Sequence, residues 1–120
     1  MKAALYIFLG GGLGSVLRYF VSYYISRRLM VGAFPLGTFL VNLAGCFLIG
    51  LFAGYFLRNE SDLKYLMIAG FCGGFTTFST FSLENYNLWQ QQQYGMLALY
   101  VVSSLIVCLL AVGLGFRLSK

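Results

Sequence analysis

"GFCGGFTTFSTFS", residues Gly70–Ser82, is the stretch on which the reading of this chain turns. An apolar run leads into it, yet Thr76 to Ser82 holds five hydroxyl residues, two phenylalanines and no aliphatic side chain. Gly73-Gly74 followed by Thr76-Thr77 is poor helical material, because glycine loosens a helix and β-branched residues crowd it. Two readings stand. In one, the helix unwinds locally, which membrane depth tolerates only where the backbone is buried in protein or lines a polar site; its freed carbonyls are then good ligands for a small cation such as Na⁺. In the other, the helix is continuous and its hydroxyls bond back to carbonyls four residues earlier. Phe78 and Phe81 stand at helical spacing, the ordinary signature of core packing. A phenyl edge also carries partial positive charge, so edge-on rings flanked by the hydroxyls of Ser79, Thr80 and Ser82 form a surface that an anion tolerates.

The surroundings are those of a membrane protein. Of 120 residues, 60% are hydrophobic and 9% charged, against about 25% charged in soluble domains. Four apolar segments emerge, at about 3–25, 34–57, 63–82 and 94–116. Each approaches the ~20 residues that a helix needs to cross the hydrocarbon layer, and the short alternating strands of a membrane barrel are absent. The expectation is an all-α membrane protein of one domain over residues 1–120, with four transmembrane helices. The first segment reads as a membrane helix rather than a signal peptide, since no polar cleavage region follows it. "ENYNLWQQQQ", Glu84–Gln93, reads as a connection or a short interfacial helix with Trp89 as anchor. Asp62 is the expected N-cap of the third segment.

Four helices place both termini on one side. Lys2, Arg58, Lys64, Arg117 and Lys120 lie on that side, against Arg27 and Arg28 on the other, with Arg18 near its end of the first segment. The bias puts the termini in the cytoplasm, but it is modest and leaves room for insertion both ways round. Positive charge at segment ends, with no basic stripe, points away from nucleic acid and toward lipid headgroups. Gly10/Gly14, Gly50/Gly54 and Gly70/Gly74 each stand four apart, the spacing that lets helix backbones approach closely. Four short helices enclose little interior, so an oligomer is expected.

The scarcity of acids narrows the chemistry. The chain has Glu60, Asp62 and Glu84 and no histidine. Two of the acids fall in a loop and Glu84 at the end of the third segment, which leaves no mid-membrane carboxylate for a proton relay and no nucleophile–base pair for an enzyme. Cys46, Cys72 and Cys108 lie one per segment without Cys-x-x-Cys spacing, against a zinc site. Arg18 either sits inside the membrane as a functional charge or snorkels to the interface; both place positive potential near a pore mouth. Asn42 at mid-segment either glues two helices or donates to an anion, with Thr38 one turn before it. In the fourth segment, Tyr100 and Ser104 share a face with Ser103 nearby. The residues by themselves describe a polar track for a small ion, with anions favoured.

At these residues the sequence resembles the Fluc (CrcB) fluoride channels. The resemblance rests on "GFCGGFTTFSTFS", on the pattern GxGSxxRYF in the first segment and on PLGTFLVNLxGxFxIG in the second, and it spans the whole chain. It implies an antiparallel, dual-topology homodimer in the inner membrane, with two pores that export fluoride passively to relieve its toxicity. It further implies a third helix broken at the Gly/Thr segment and a structural Na⁺ at the dimer interface, held by backbone carbonyls of Gly73 and Thr76. Phe78 and Phe81 would present ring edges to fluoride, with Asn42 hydrogen-bonding near them. Thr38, Ser79, Thr80, Tyr100 and Ser104 would form the polar track, and Arg18 matches the first-helix arginine. Some members carry a serine one turn beyond the position of Ser104, where this chain has Cys108, a weaker donor. The competing expectation is a small proton-coupled multidrug exporter, similar in size but dependent on a membrane carboxylate.

Overall fold

The computed structural model describes residues 1–29 and 32–119. Lys120, counted above in the charge bias, lies outside them. Among the described residues, four helical stretches are long and apolar enough to cross a membrane: Lys2–Arg28, Leu36–Arg58, Tyr65–Gln90 and Tyr94–Leu118. This is a multi-pass membrane protein. Its outward faces carry the large apolar side chains that a bilayer solvates, Leu13, Phe8, Leu109 and Leu110 among them.

Helix α1 (Lys2–Arg28) ends on Arg27 and Arg28, whose charge suits the negative end of a helix dipole. Arg27 Nη1 also donates to Tyr23 Oη at 2.7 Å. Helix α2 (Leu36–Arg58) starts directly after Pro35, a residue that can lead into a helix but not continue one. The next stretch is composite. A π-helix covers Tyr65–Cys72, α3 covers Gly73–Phe75 and α4 covers Phe78–Gln90. Helix α5 (Tyr94–Leu118) completes the bundle. Ahead of the π-helix, Ser61 Oγ rather than Asp62 accepts the Leu63 amide, at 3.2 Å. Asp62 instead faces Lys2 at 3.9 Å, which brings the start of α1 beside this loop.

Helix α1 packs along the π-helix and α3, α2 packs chiefly along α5, and α4 rests on α5. The glycine pairs make these contacts. A Cβ built on Gly10 would lie 2.8 Å from the Phe71 nitrogen and 3.1 Å from the Gly70 Cα, and one built on Gly50 would lie 3.0 Å from the Phe116 nitrogen. Backbone meets backbone at both places, as small residues allow. The deepest side chains are Tyr100, Val41 and Cys72.

One boundary departs from the expectation. The third apolar segment was expected to stop near residue 82, but α4 continues through Glu84 to Gln90. Two hydroxyls hold Glu84, as described next, so the acid does not end the helix by seeking water.

Candidate functional site

The site forms around Thr76 and Thr77 of the third stretch. Helix α3 ends at Phe75; Thr76 (φ −89°, ψ 159°) and Thr77 (φ −151°, ψ 123°) are extended; α4 starts at Phe78. The hydrogen bonds explain why the backbone stays open. In a continuous helix the Thr77 amide would donate to the Gly73 carbonyl; here it donates to Asn42 Oδ1 at 2.9 Å. Likewise the Thr80 amide, the helical donor for the Thr76 carbonyl, donates to Thr77 Oγ1 at 3.2 Å, an N-cap. Asn42 Nδ2 donates in turn to the Thr77 carbonyl at 3.2 Å. One amide side chain thus satisfies both backbone groups of an extended residue, as a neighbouring strand would. The Gly74 carbonyl receives Arg18 Nε at 3.1 Å and Ser15 Oγ at 3.5 Å. Thr76 Oγ1 bonds back to the Cys72 carbonyl at 2.8 Å, closing the turn before the extended pair.

These contacts bear on the alternatives left open by the sequence. Arg18 is half-buried with its guanidinium turned inward onto the Gly74 carbonyl. Asn42 is bonded to the backbone of the third stretch through both polar atoms.

A cavity of about 300 Å³ opens beside the extended pair, lined by Asn42, Thr76, Phe78, Phe81, Ser104 and, farther along, Cys108. The Phe78 and Phe81 rings are 5.7 Å apart at 43°, and Phe81 lies 4.9 Å from Tyr100 at 52°. Phe34 also meets Tyr100 edge-on, at 5.3 Å. Phe78 is 76% exposed, Tyr100 0%, so the aromatic row runs from the surface into the core. Ser104 Oγ is buried with no hydrogen-bond partner among the described residues. Ser79 Oγ shares a hydrogen bond with Thr77 Oγ1 at 3.2 Å, and Gly73 is exposed. A larger cavity, of about 690 Å³, is lined by residues such as Val21, Leu40, Val41, Phe75 and Leu110, and it offers an ion nothing polar.

Glu84 is the residue that the sequence reading missed. Thr38 Oγ1 donates to its Oε2 at 2.9 Å, and Tyr100 Oη to its Oε1 at 2.8 Å. The chain therefore does hold a carboxylate inside a candidate span, and the earlier reading of Glu84 as the end of the third segment is corrected. The signal was present: Glu84 follows Thr80 by one turn, on the face of α4 that carries the hydroxyls.

A family model described as "CrcB-like protein, Camphor Resistance (CrcB)" matches residues 5–116. The chain belongs to the CrcB-like family. Relatives in the family span it end to end. A protein of Azobacteroides pseudotrichonymphae named "Fluoride-specific ion channel FluC" is 46% identical, covering 100% of this chain and 98% of that protein. A protein of the same name from Flavobacterium psychrophilum is also 46% identical with the same coverage. One from Phocaeicola vulgatus is 44% identical over the whole of both chains. These relatives are named as channels, which gives no support to the exporter reading despite the newly placed carboxylate.

Proposed function

We propose that this chain is a subunit of a passive, fluoride-selective channel that lets fluoride leave the cytoplasm across the inner membrane. The observation that carries the reading is the cavity at the extended pair, where two phenyl rings, an amide and an unpartnered buried hydroxyl converge. The relatives' names supply the ion. Fluoride is small and strongly hydrated, so its path must offer several donors in a narrow bore; Ser104 lines the cavity, and Thr38, Ser79, Thr80 and Tyr100 would continue the donor track beyond it. The Phe78 and Phe81 edges add positive potential without a full counter-charge that would trap the ion. Arg18 raises the potential near the mouth. The Glu84 carboxylate already accepts from Thr38 and Tyr100, so an anion must draw those hydroxyls away from it, and tight trapping is avoided.

The subunits would pair as an antiparallel homodimer with two pores. Phe78 and Gly73 are both exposed in the single chain, which leaves them free to meet a second copy. The Gly73 and Thr76 carbonyls have both had their helical donors diverted, which suits them to hold a structural Na⁺ at the junction, where carbonyl oxygens are the fitting ligands for a hard monovalent cation. The ion would fix the two extended segments against each other. The proposal includes no catalytic step.

The test is anion efflux from liposomes. Vesicles loaded with fluoride should empty through the protein, and vesicles loaded with chloride should not. Fluoride release no faster than from protein-free vesicles overturns the reading. Phe78→Ile and Phe81→Ile should each lower the fluoride rate by at least about tenfold, because an aliphatic side chain has no positive edge; wild-type rates in both would remove the rings from the mechanism. For the cation, replacing Na⁺ throughout by a large organic cation should slow flux progressively, with recovery on adding Na⁺ back. Rates indifferent to Na⁺ would exclude it as a structural ion.

A further inference from the structure

Two cysteines face the cavity from different helices, Cys46 on α2 and Cys108 on α5. Both are free and half-buried, and one turn beyond each of them a Cβ built on Gly50 would meet the Val112 backbone, so α2 and α5 pack in register where the two cysteines stand. Cys72 is also free but 2% exposed, and it does not line this cavity. Ser104, one turn before Cys108, lines the same space and has a buried hydroxyl with no partner among the described residues. The rest of the lining is Leu105, Leu109 and Val112 on α5, Phe78 and Phe81 on α4, and the polar Asn42, Thr76 and Thr77.

We propose that Cys46 and Cys108 form a two-coordinate site for a thiophilic divalent cation, with Hg²⁺ as its probe, whose occupancy closes the cavity. The chemistry of the walls selects the ion. Paired thiolates are soft ligands, and two of them neutralise a divalent charge. A monovalent soft ion such as Ag⁺ would leave a net negative charge in a largely apolar cavity, which burial penalises. Zn²⁺ wants four ligands in a tetrahedron, and among the described residues no group of three or more metal-binding side chains comes together. Binding is balanced as Hg²⁺ and two thiols giving a neutral bis-thiolate and two protons, which pass to solvent; nothing is oxidised. The bridged helices α2 and α5 form two walls of the cavity, with the extended pair and α4 as the third, and a metal held between the thiols would take up part of that space. Closure of the ion path rests on the channel reading above; the metal site itself does not.

Two readouts keep these apart. Intact-protein mass spectrometry after one equivalent of Hg²⁺ should give one metal per chain with two protons lost, and maleimide labelling of the unfolded, metal-loaded chain should fall by two thiols. Cys46→Ser and Cys108→Ser should each lose the bridged adduct, and Cys72→Ser should keep it. In liposomes, micromolar Hg²⁺ should cut fluoride efflux at least tenfold, reversed by excess dithiol, and each serine variant at 46 or 108 should resist relative to its own untreated rate. The metal site is overturned if the adduct persists in the Cys46→Ser/Cys108→Ser double variant or involves Cys72. The closure is overturned if metal-loaded wild-type protein conducts fluoride at its untreated rate. A wild-type protein that passes no fluoride removes the channel reading, and the mass measurement still decides the metal site.

Discussion

Asn42→Ala is expected to abolish fluoride flux and to lower the thermal stability of the purified protein. The side chain serves the amide and the carbonyl of Thr77 together, at 2.9 and 3.2 Å. Alanine leaves both groups without partners at membrane depth. A buried backbone group left unpaired costs ~1–3 kcal/mol, and lipid offers no water to replace the lost partner. The chain can escape this penalty by closing the Thr77 amide onto the Gly73 carbonyl, which rebuilds a continuous helix. That escape erases the extended pair, redirects Phe78 and Phe81, and takes away a carbonyl proposed for Na⁺. Both outcomes empty the site, so a loss of at least about a hundredfold in initial efflux rate is expected. Asn42→Asp keeps an acceptor for the Thr77 amide but sets a carboxylate oxygen against the Thr77 carbonyl, and it should be as inactive. The check is efflux at matched protein incorporation, together with a melting profile in detergent. Wild-type flux in the alanine variant would mean that Asn42 is not what keeps the segment open.

The sequence made the class of fold and the location of the site legible for a clear physical reason. Four apolar runs of membrane-spanning length leave little choice of architecture, and Gly73-Gly74 before two β-branched threonines marks a place where helix is locally disfavoured. Asn42 was visible as a mid-segment amide in need of partners, but not as the partner of Thr77. That pairing joins residues 35 apart on separate helices, and no periodicity encodes it. Glu84 was misread for the opposite reason. Charge beside glutamines and asparagines resembles the end of a membrane segment, and the Thr38 and Tyr100 hydroxyls that receive it come from α2 and α5. The π-helical geometry of Tyr65–Cys72 has no mark in composition either. It coincides with the place where α1 lies backbone to backbone against the stretch at Gly10 and Gly70, a tertiary contact.

That contact supports a prediction in which two neighbouring glycines respond with opposite sign. Gly10 and Gly12 belong to one "GGG" run of α1. A Cβ on Gly10 would fall among the Leu66 carbonyl, the Phe71 nitrogen and the Gly70 Cα, whereas nothing lies within 4 Å of one on Gly12. Alanine adds that one atom. At residue 12 it also improves helix propensity by up to ~1 kcal/mol, so Gly12→Ala should match or exceed the wild type in thermal stability. At residue 10 the same gain is outweighed, because the obstructing atoms are backbone and cannot rotate away. Overpacking a tight contact costs ~1–3 kcal/mol, and here relief requires α1 to withdraw from the π-helix along its length. Withdrawal moves Arg18 and Ser15 away from the Gly74 carbonyl they now hold, so the damage reaches the extended pair about two turns farther along α1. Gly10→Ala should therefore melt well below the wild type, lose its single peak in size-exclusion chromatography and conduct little fluoride. If both alanine variants melt alike, the close approach of α1 to the third stretch is not what holds this half of the bundle together.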